Sequence, residues 1–250
     1  MLIHNTNAHY SFLRGIDPYS CGVVAAPGWE IVGVTLPAAM PWRDGFDFVD
    51  QYLHRAGLER AALCAMELRS PRPFSMDGFI EFNREYRAVL EEWQLLVEGV
   101  NPIARTNVAP LIDPPTEVLL HAFSFVRPNP DTPRPTFVVA GAGELREGIL
   151  EAHRIVRRGA VSPDAMLEKA EYVLGVMEER LNGLGVGWGQ VTSVNLYTIH
   201  SLDDPLRGLL LDRLGPAARH GLCWHMTRPP VLDIEFEMDV RGVALSIHTP

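Results

Sequence analysis

A proline-rich segment divides the chain near its midpoint. Within eight positions of the 250-residue sequence stand four prolines, Pro128, Pro130, Pro133 and Pro135. Proline has no backbone N–H to donate, so such a segment is excluded from a helix or a central strand and suits a stiff, extended connector. We therefore predict two domains, residues 1–127 and residues 136–250, joined by a linker over residues 128–135.

The two parts share one order of predicted secondary structure. In the first part, helical periodicity predicts helices at 45–57 and 75–93, and apolar segments predict strands at 28–36, 60–70, 103–111 and 117–126. In the second part, the same criteria predict helices at 162–185 and 204–214, and strands at 136–145, 189–200, 218–227 and 231–245. Each part has the order β-α-β-α-β-β. The pattern predicts an α+β protein built from two copies of one unit.

Charge and hydropathy exclude several classes of function. Acidic residues outnumber basic ones by 31 to 22, for a formal net charge of −9. A net acidic chain without a basic cluster is poorly suited to nucleic acid or anionic membrane. No run approaches the ~20 apolar residues of a membrane-spanning helix, and the N-terminal residues do not resemble a signal peptide. We expect a cytoplasmic protein whose partner is a small molecule.

Cysteine and lysine are sparse, which limits the available chemistry. Cys21, Cys64 and Cys223 form no CxxC motif and no Cys/His set with metal-ligand spacing, so no metal site is predicted. The chain has one lysine, Lys169, at the edge of the apolar stripe of the helix at 162–185. We expect this lysine to be exposed to solvent, and we expect no cofactor that needs a lysine Schiff base.

Several short motifs occur in a fixed order along the chain. DPYSCGV contains Tyr19, and FNREY contains Asn83 and Tyr86. An arginine follows a proline by three residues in both parts, as Arg105 in NPIART and Arg219 in GPAARH. The second part adds an Ala-Gly pair ending in Gly141, and two glutamates, Glu235 and Glu237, in DIEFEMDVRG.

These motifs resemble those of the RidA/YjgF-like reactive-intermediate deaminases. The resemblance implies two tandem RidA-like domains, each with a six-stranded mixed sheet and two helices on one face, as in chorismate mutase. Family members form trimers with clefts between subunits, so we expect a homotrimer or a multiple of it.

The resemblance also implies roles for particular residues. Arg219 and Arg105 correspond to the arginine that binds the substrate carboxylate, and Glu235 to the glutamate that positions water. Tyr19, Asn83 and Gly141 correspond to residues of the substrate cleft. The first part lacks the glutamate, having Leu119 there, and the second part lacks the tyrosine and asparagine motifs. We therefore hypothesise a composite cleft between unlike halves.

The implied activity is hydrolysis of an enamine or imine of a 2-amino acid, a C–N hydrolase reaction that needs no metal and no organic cofactor. Duplicated chains of this length resemble deaminases that act on 2-aminomuconate-type dicarboxylates in the degradation of aromatic compounds. Arg228 and Arg105 are candidates for the second carboxylate of such a substrate. The alternative is a non-catalytic or regulatory RidA-like protein that binds small carboxylates, and the absence of the glutamate from the first part is compatible with it. Without the resemblance, both glutamates also fit the polar face of a half-buried strand.

Overall fold

The structure is a computed structural model that describes residues 1–146 and 150–249. It contains four α-helices, α1 (Trp42–Arg55), α2 (Met76–Glu92), α3 (Pro163–Gly183) and α4 (Asp204–Leu214). Strands β1 to β7 are Leu2–Asn5, Tyr10–Leu13, Gly22–Ala25, Trp29–Pro41, Leu63–Arg69, Ala104–Pro110 and Leu119–Pro128. Strands β8 to β13 are Phe137–Gly143, Ser193–Tyr197, Cys223–His225, Thr227–Arg228, Glu237–Gly242 and Leu245–His248. Short 3-10 helices span Arg60–Ala62, Ala152–Arg154, Trp188–Gln190 and Gly215–His220.

The strands form two mixed sheets. One has seven strands in the order β1-β2-β3-β8-β12-β9-β10, and its one parallel pair is β9 with β10. The other has six strands in the order β11-β6-β5-β7-β4-β13, with parallel pairs between β5 and β6 and between β4 and β13. These pairings hold for the described part of the chain.

Two helices cover the outer face of each sheet, which gives four layers. Helices α1 and α2 pack on the six-stranded sheet through large side chains such as Phe46, Tyr86 and Phe123. Helices α3 and α4 pack on the seven-stranded sheet. Between the sheets lies a third apolar cluster that includes Phe12 and several small side chains such as Ala104 and Ala140. Small side chains allow the sheets to approach closely, and β6 and β8 are in contact there.

All four predicted helices are confirmed, because their ends carry sequence signals. The Ser75 hydroxyl accepts a hydrogen bond from the backbone N–H of Gly78 at 3.1 Å and so caps the start of α2. Helix α3 begins with Pro163, which has no N–H to leave unsatisfied at the first turn.

Strands from one half of the chain pair with strands from the other half. The N-terminal strand β3 pairs with β8 of the second half, with Val23 opposite Val138. The C-terminal strand β13 pairs with β4 of the first half, with Ile247 opposite Val34. The short strand β11 joins the first-half strand β6. Each sheet therefore contains strands from both ends of the chain, while the domain boundary at 128–135 stays a prediction.

The fold expected from the resemblance is wrong. Two tandem RidA-like domains with six strands each were expected, whereas the protein has sheets of seven and six strands that share strands between the halves. Alternation of apolar and polar residues specifies which face of a strand is buried, but it does not specify the strand's neighbour. The α+β class itself is confirmed.

The predicted strand at 218–227 is also wrong in its first half. Residues Gly215–His220 form a 3-10 helix, and β10 begins only at Cys223. Gly215 is the first residue of this helix and Gly221 follows its last, and their φ angles of 48° and 79° favour glycine and interrupt an extended chain. Arg219 therefore lies exposed in a 3-10 helix, whereas Arg105 is the second residue of strand β6.

The prediction for the lone lysine is wrong as well. Lys169 is fully buried, and its Nζ lies 2.9 Å from Glu144 Oε1 and donates to the Val156 carbonyl at 2.8 Å. A lysine at the edge of an apolar stripe can point into the core when a buried carboxylate lies within reach of its amine. Helical periodicity does not reveal such a partner, because Glu144 lies on another part of the chain.

Candidate active site

A cavity of about 350 Å³ lies beside the contact between β6 and β8. Its walls come from both halves of the chain. Polar and charged side chains of the wall include Tyr19, Arg105 and Asn107 from the first half, and Arg180 and Glu237 from the second half. The cavity is therefore a composite of the two halves within one chain.

Arg105 is a buried cation of this cavity. It lies on β6, is 3% exposed, and its Nη2 donates to Asn83 Oδ1 at 2.6 Å. The guanidinium carbon lies 4.7 Å from the ring centre of Tyr86 and 5.3 Å from that of Tyr19, so aromatic faces surround it. Burial lowers the pKa of Arg105, yet a guanidinium stays charged in proteins.

Unsatisfied donors beside this cation point to an anion. Within the described part of the chain, Arg105 Nη1 is buried without a hydrogen-bond partner, and so are the side-chain amide nitrogens of Asn83 and Asn107. A buried donor without an acceptor is costly, and native proteins rarely leave one unless a ligand or water fills the role. A carboxylate in the cavity would accept from Arg105 Nη1 and restore the balance of charge.

Glu237 is the acid of the cavity. It begins β12 and is 4% exposed. Burial raises the pKa of Glu237 well above its usual range, the nearby charge of Asp239 raises it further, and Arg180 and Arg105 oppose the shift without cancelling it. The shift favours the protonated form of Glu237, and in that form the carboxyl group can donate a proton.

Gly141 makes room for this acid. It lies on β8 opposite β12, and a Cβ atom built there would overlap Glu237 Oε1. It would also lie 3.0 Å from the Cγ2 atom of Thr106. The backbone N–H of Gly141 donates to Thr106 Oγ1 at 3.1 Å, so this N–H is already used within the protein.

A polar network lies behind Glu237 on the same strand. Asp239 accepts hydrogen bonds from Thr106 Oγ1 at 2.9 Å, from Tyr197 OH at 2.8 Å and from Asn195 Nδ2 at 2.7 Å. Arg241 pairs with Glu67 at 2.5 Å. The donors from Thr106, Tyr197 and Asn195 hold the Asp239 carboxylate in place. Its charge there raises the pKa of Glu237.

Arg180 and Tyr19 complete the polar wall. Arg180 comes from α3, is buried, and its Nη1 donates to the Ala140 carbonyl at 2.9 Å. Burial raises the pKa of Tyr19 to about 12, more than the nearby charges of Arg180 and Arg105 lower it. The phenol is thus neutral and can donate a hydrogen bond to a bound ligand.

The structure separates the residues proposed from the sequence into two groups. Tyr19, Arg105 and Gly141 line the cavity, and Asn83 holds Arg105. The second group does not line this cavity and consists of Arg219, Arg228 and Glu235.

The outlying group has partners of its own. Glu235 Oε2 lies 2.8 Å from His200 Nε2 and 3.7 Å from Arg228 Nη1. Arg219 is exposed and donates to His220 Nε2 at 3.1 Å and to the Gly189 carbonyl at 3.2 Å. Their proposed roles stay predictions.

Two residues of the cavity were missed from the sequence. Glu237 was noted only as a neighbour of Glu235. Arg180 follows Met177 by three positions on the apolar stripe of α3, and an arginine on the buried face of a helix is a signal that could have found it.

Comparisons with known proteins identify the family of the chain. Over residues 2–247 the chain matches the family described as 2-aminomuconate deaminase CnbZ. It is 42% identical over 235 residues to a 2-amino-5-chloromuconate deaminase of Comamonas testosteroni, covering 93% of each chain. The chain therefore belongs to the 2-aminomuconate deaminase CnbZ family.

Two solved structures resemble the chain at low identity. One is a chorismatase, with 14% identity and a TM-score of 0.44 over 94% of this chain and 75% of the other. The second is a cyanuric acid hydrolase, with 11% identity and a TM-score of 0.42 over 88% of this chain and 69% of the other.

The described residues contain neither a cluster of metal ligands nor a membrane-spanning helix. Among residues 1–146 and 150–249, no cluster of three or more His, Cys, Asp or Glu side chains is arranged to bind a metal ion. In that part of the chain, no helix combines the length and the apolar character needed to cross a bilayer.

Proposed function

We propose that this protein is a deaminase of 2-aminomuconate-type dicarboxylates, and that it releases ammonia by hydrolysis without a cofactor. Membership in the CnbZ family and the 42% identity to a 2-amino-5-chloromuconate deaminase support the substrate class. The cavity supports the hydrolytic mechanism, because it contains a buried arginine with an unpartnered donor and a carboxyl group whose pKa is raised.

The observation that carries the proposal is that Arg105 and Glu237 line the same cavity. Arg105 has an unpartnered buried donor, and Glu237 is a buried carboxyl group whose pKa is strongly raised. A raised carboxyl pKa inside a cleft is costly to maintain and is typical of general acids. A protein that only binds carboxylates has no need of such an acid.

The reaction begins with proton transfer to carbon. Arg105 holds the carboxylate beside the amino-bearing carbon, and this fixes the position of the enamine. Glu237 gives its proton to the adjacent enamine carbon, which forms an iminium ion and leaves Glu237 as a carboxylate. The negative charge of Glu237 then stabilises the positive iminium.

Water then replaces the amine, and Glu237 returns to its starting state. The Glu237 carboxylate takes a proton from the water that adds to the C=N carbon. It passes this proton to the nitrogen of the resulting carbinolamine, the C–N bond breaks, and ammonia leaves. The remaining hydroxyl returns its proton to Glu237 as the 2-oxo acid forms. One water is consumed and one ammonia is released, with no net change in the protein.

Two neighbouring glutamates give a matched test of the acid. Ammonia release from freshly generated 2-aminomuconate is measured for the wild type, Glu237→Gln and Glu235→Gln. We expect Glu237→Gln to lose about 10²–10⁴-fold in kcat, the usual contribution of a general acid–base group, with little change in substrate binding. Glu235→Gln should keep most of the activity, because Glu235 lies outside the cavity.

Each other outcome has a definite meaning. If Glu235→Gln abolishes release while Glu237→Gln does not, the acid has been assigned to the wrong glutamate. If the wild type releases ammonia no faster than the spontaneous reaction, the deaminase proposal fails and the carboxylate-binding alternative stands. Arg105→Met should raise KM, since it removes the cation that holds the substrate carboxylate.

The assembly and the location of the protein stay predictions. The resemblance implies a homotrimer or a multiple of it, and the composition predicts a cytoplasmic protein. Sedimentation equilibrium of the purified protein would measure the number of chains directly.

A further inference from the structure

A second cavity adjoins the first. It has a volume of about 530 Å³ and shares Arg14, Gly15, Ile16 and Leu150 with the first cavity. Asn83 lies in its wall and also accepts the hydrogen bond from Arg105 in the first cavity. The two cavities are therefore neighbouring parts of one cleft.

The charged side chains of the second cavity are mostly arginines. Arg14 belongs to the loop after β2, and Arg84 and Arg87 belong to α2. Asp17 is the one acidic residue of the described lining, so cations exceed anions by three to one. An acidic chain of net charge −9 that gathers three arginines in one cavity creates a local site for an anion.

Two of these arginines are available to a ligand. Within the described residues, the Arg14 and Arg84 side chains have no ion pair or hydrogen bond, whereas Arg87 Nε binds Glu91 Oε1 at 3.0 Å. Arg87 also donates to the carbonyls of Asp17 and Gly99 at 3.4 and 3.2 Å. Arg87 thus shapes the cavity, and Arg14 and Arg84 keep their donors free.

We infer that the second cavity binds the remote carboxylate of the dicarboxylate substrate, with Arg14 and Arg84 as its cations. The inference rests on the proposed function, since it assigns the second charge of the same substrate. Arg105 holds the carboxylate next to the reacting carbon, and Arg14 stands where the two cavities join. A diacid with a carboxylate at each end of its chain then has one cationic site for each end.

This assignment makes the second cavity the source of specificity for diacids. A monocarboxylate gains contacts only at its one carboxylate, beside Arg105, whereas a dicarboxylate gains charge-assisted hydrogen bonds at both ends. Because Arg14 and Arg84 are exposed, salt should weaken their contribution more than that of the buried Arg105.

A pair of stable ligands isolates the remote carboxylate. Muconate and sorbate are both six-carbon dienoates without an amino group, and only muconate has the second carboxylate. Isothermal titration of each ligand is carried out with the wild type, Arg14→Gln, Arg84→Gln and the double variant. Arg55→Gln is the control, since Arg55 is an exposed arginine on α1 outside both cavities and the charge change is the same.

We expect the wild type to bind muconate more tightly than sorbate. Each single variant should weaken muconate binding about tenfold, as expected for one charge-assisted contact, and should leave sorbate binding unchanged. Arg55→Gln should change neither ligand. The preference for muconate should also shrink as salt is raised.

Three results would overturn the inference: equal binding of muconate and sorbate by the wild type, equal weakening of both ligands by the variants, or no effect of either arginine. Failure of the deaminase proposal is detected separately, by ammonia release. A protein that prefers muconate through Arg14 and Arg84 but releases no ammonia would keep this site and lose the proposed reaction.

Discussion

Replacing Lys169 by methionine should destabilise the protein strongly, because it leaves a buried carboxylate without its cation. Lys169 Nζ lies 2.9 Å from Glu144 Oε1, and both side chains are fully buried. Glu144 also accepts hydrogen bonds from the backbone N–H groups of Glu235 and Phe236 at 2.7 and 3.0 Å. Those two bonds remain in the variant, but they do not supply a compensating charge.

The size of the effect follows from burial. Removing one partner of a buried ion pair costs about 3–5 kcal/mol. In a chain of this length each kcal/mol lowers Tm by roughly 2–4 °C, so Lys169→Met should lower Tm by roughly 6–20 °C. Substituting Glu144→Gln together with Lys169→Met removes the orphaned charge, and the double variant should therefore be more stable than Lys169→Met alone.

The loss should also depend on pH. Burial raises the pKa of Glu144, and Lys169 opposes that shift, so removing the amine raises the pKa of Glu144 further. The folded variant then binds more protons than the unfolded chain, and its stability falls as pH rises above the ordinary carboxyl range. The deficit should be larger at pH 7 than at pH 5.

Urea unfolding of the wild type, both variants and the exposed-site control Arg55→Gln measures these differences. A loss below about 1 kcal/mol for Lys169→Met would refute the reasoning, since that is the range of exposed pairs. A double variant no more stable than Lys169→Met would refute it too. Should Lys169→Met not fold, amine labelling of the native wild type gives an independent result: its one lysine should react only after unfolding.

Three further predictions concern the site, acid stability and the halves of the chain. Gly141→Ala should cut kcat at least tenfold and cost about 1–3 kcal/mol in urea unfolding, because the new methyl displaces Glu237; unchanged kinetics would contradict this. Burial lowers the pKa of His121 to about 4, so the unfolded chain binds the extra proton between pH 6.5 and 4. Wild-type stability should fall by up to about 3 kcal/mol across that window, and less in His121→Gln. Expressed separately, residues 1–127 and 136–250 should each lack a cooperative unfolding transition, since each sheet would lose strands.

Local features of the fold were predictable, and its long-range pairing was not. Helix α3 carries its start signal in the sequence, and its apolar stripe fixes its buried face. Nothing local indicates that β3 must pair with β8, or that β13 must pair with β4. Both pairings are made by backbone hydrogen bonds, which any residue except proline can donate and accept.

The candidate site shows the same division. Tyr19 and Arg105 lie in short motifs that the family resemblance singles out, and both line the cavity. The choice between Glu235 and Glu237 depends on tertiary contacts, since both have the same alternation and should face the same way in a regular strand. The strand begins only at Glu237, and the backbone N–H of Glu235 is bound by Glu144 from another part of the chain.

The charges around Glu237 explain how one carboxyl group can serve as both acid and base in the proposed reaction. The substrate enters as an anion beside Arg105, and this offsets the charge that lowers the pKa of Glu237, so the proton is held until it is needed. Transfer of that proton creates a positive iminium in the same cavity. A positive neighbour lowers the pKa of Glu237, which now favours the carboxylate required to activate water. The substrate itself therefore reverses the acid–base preference between the two steps, while burial and the nearby charge of Asp239 raise the pKa of Glu237 before the substrate binds.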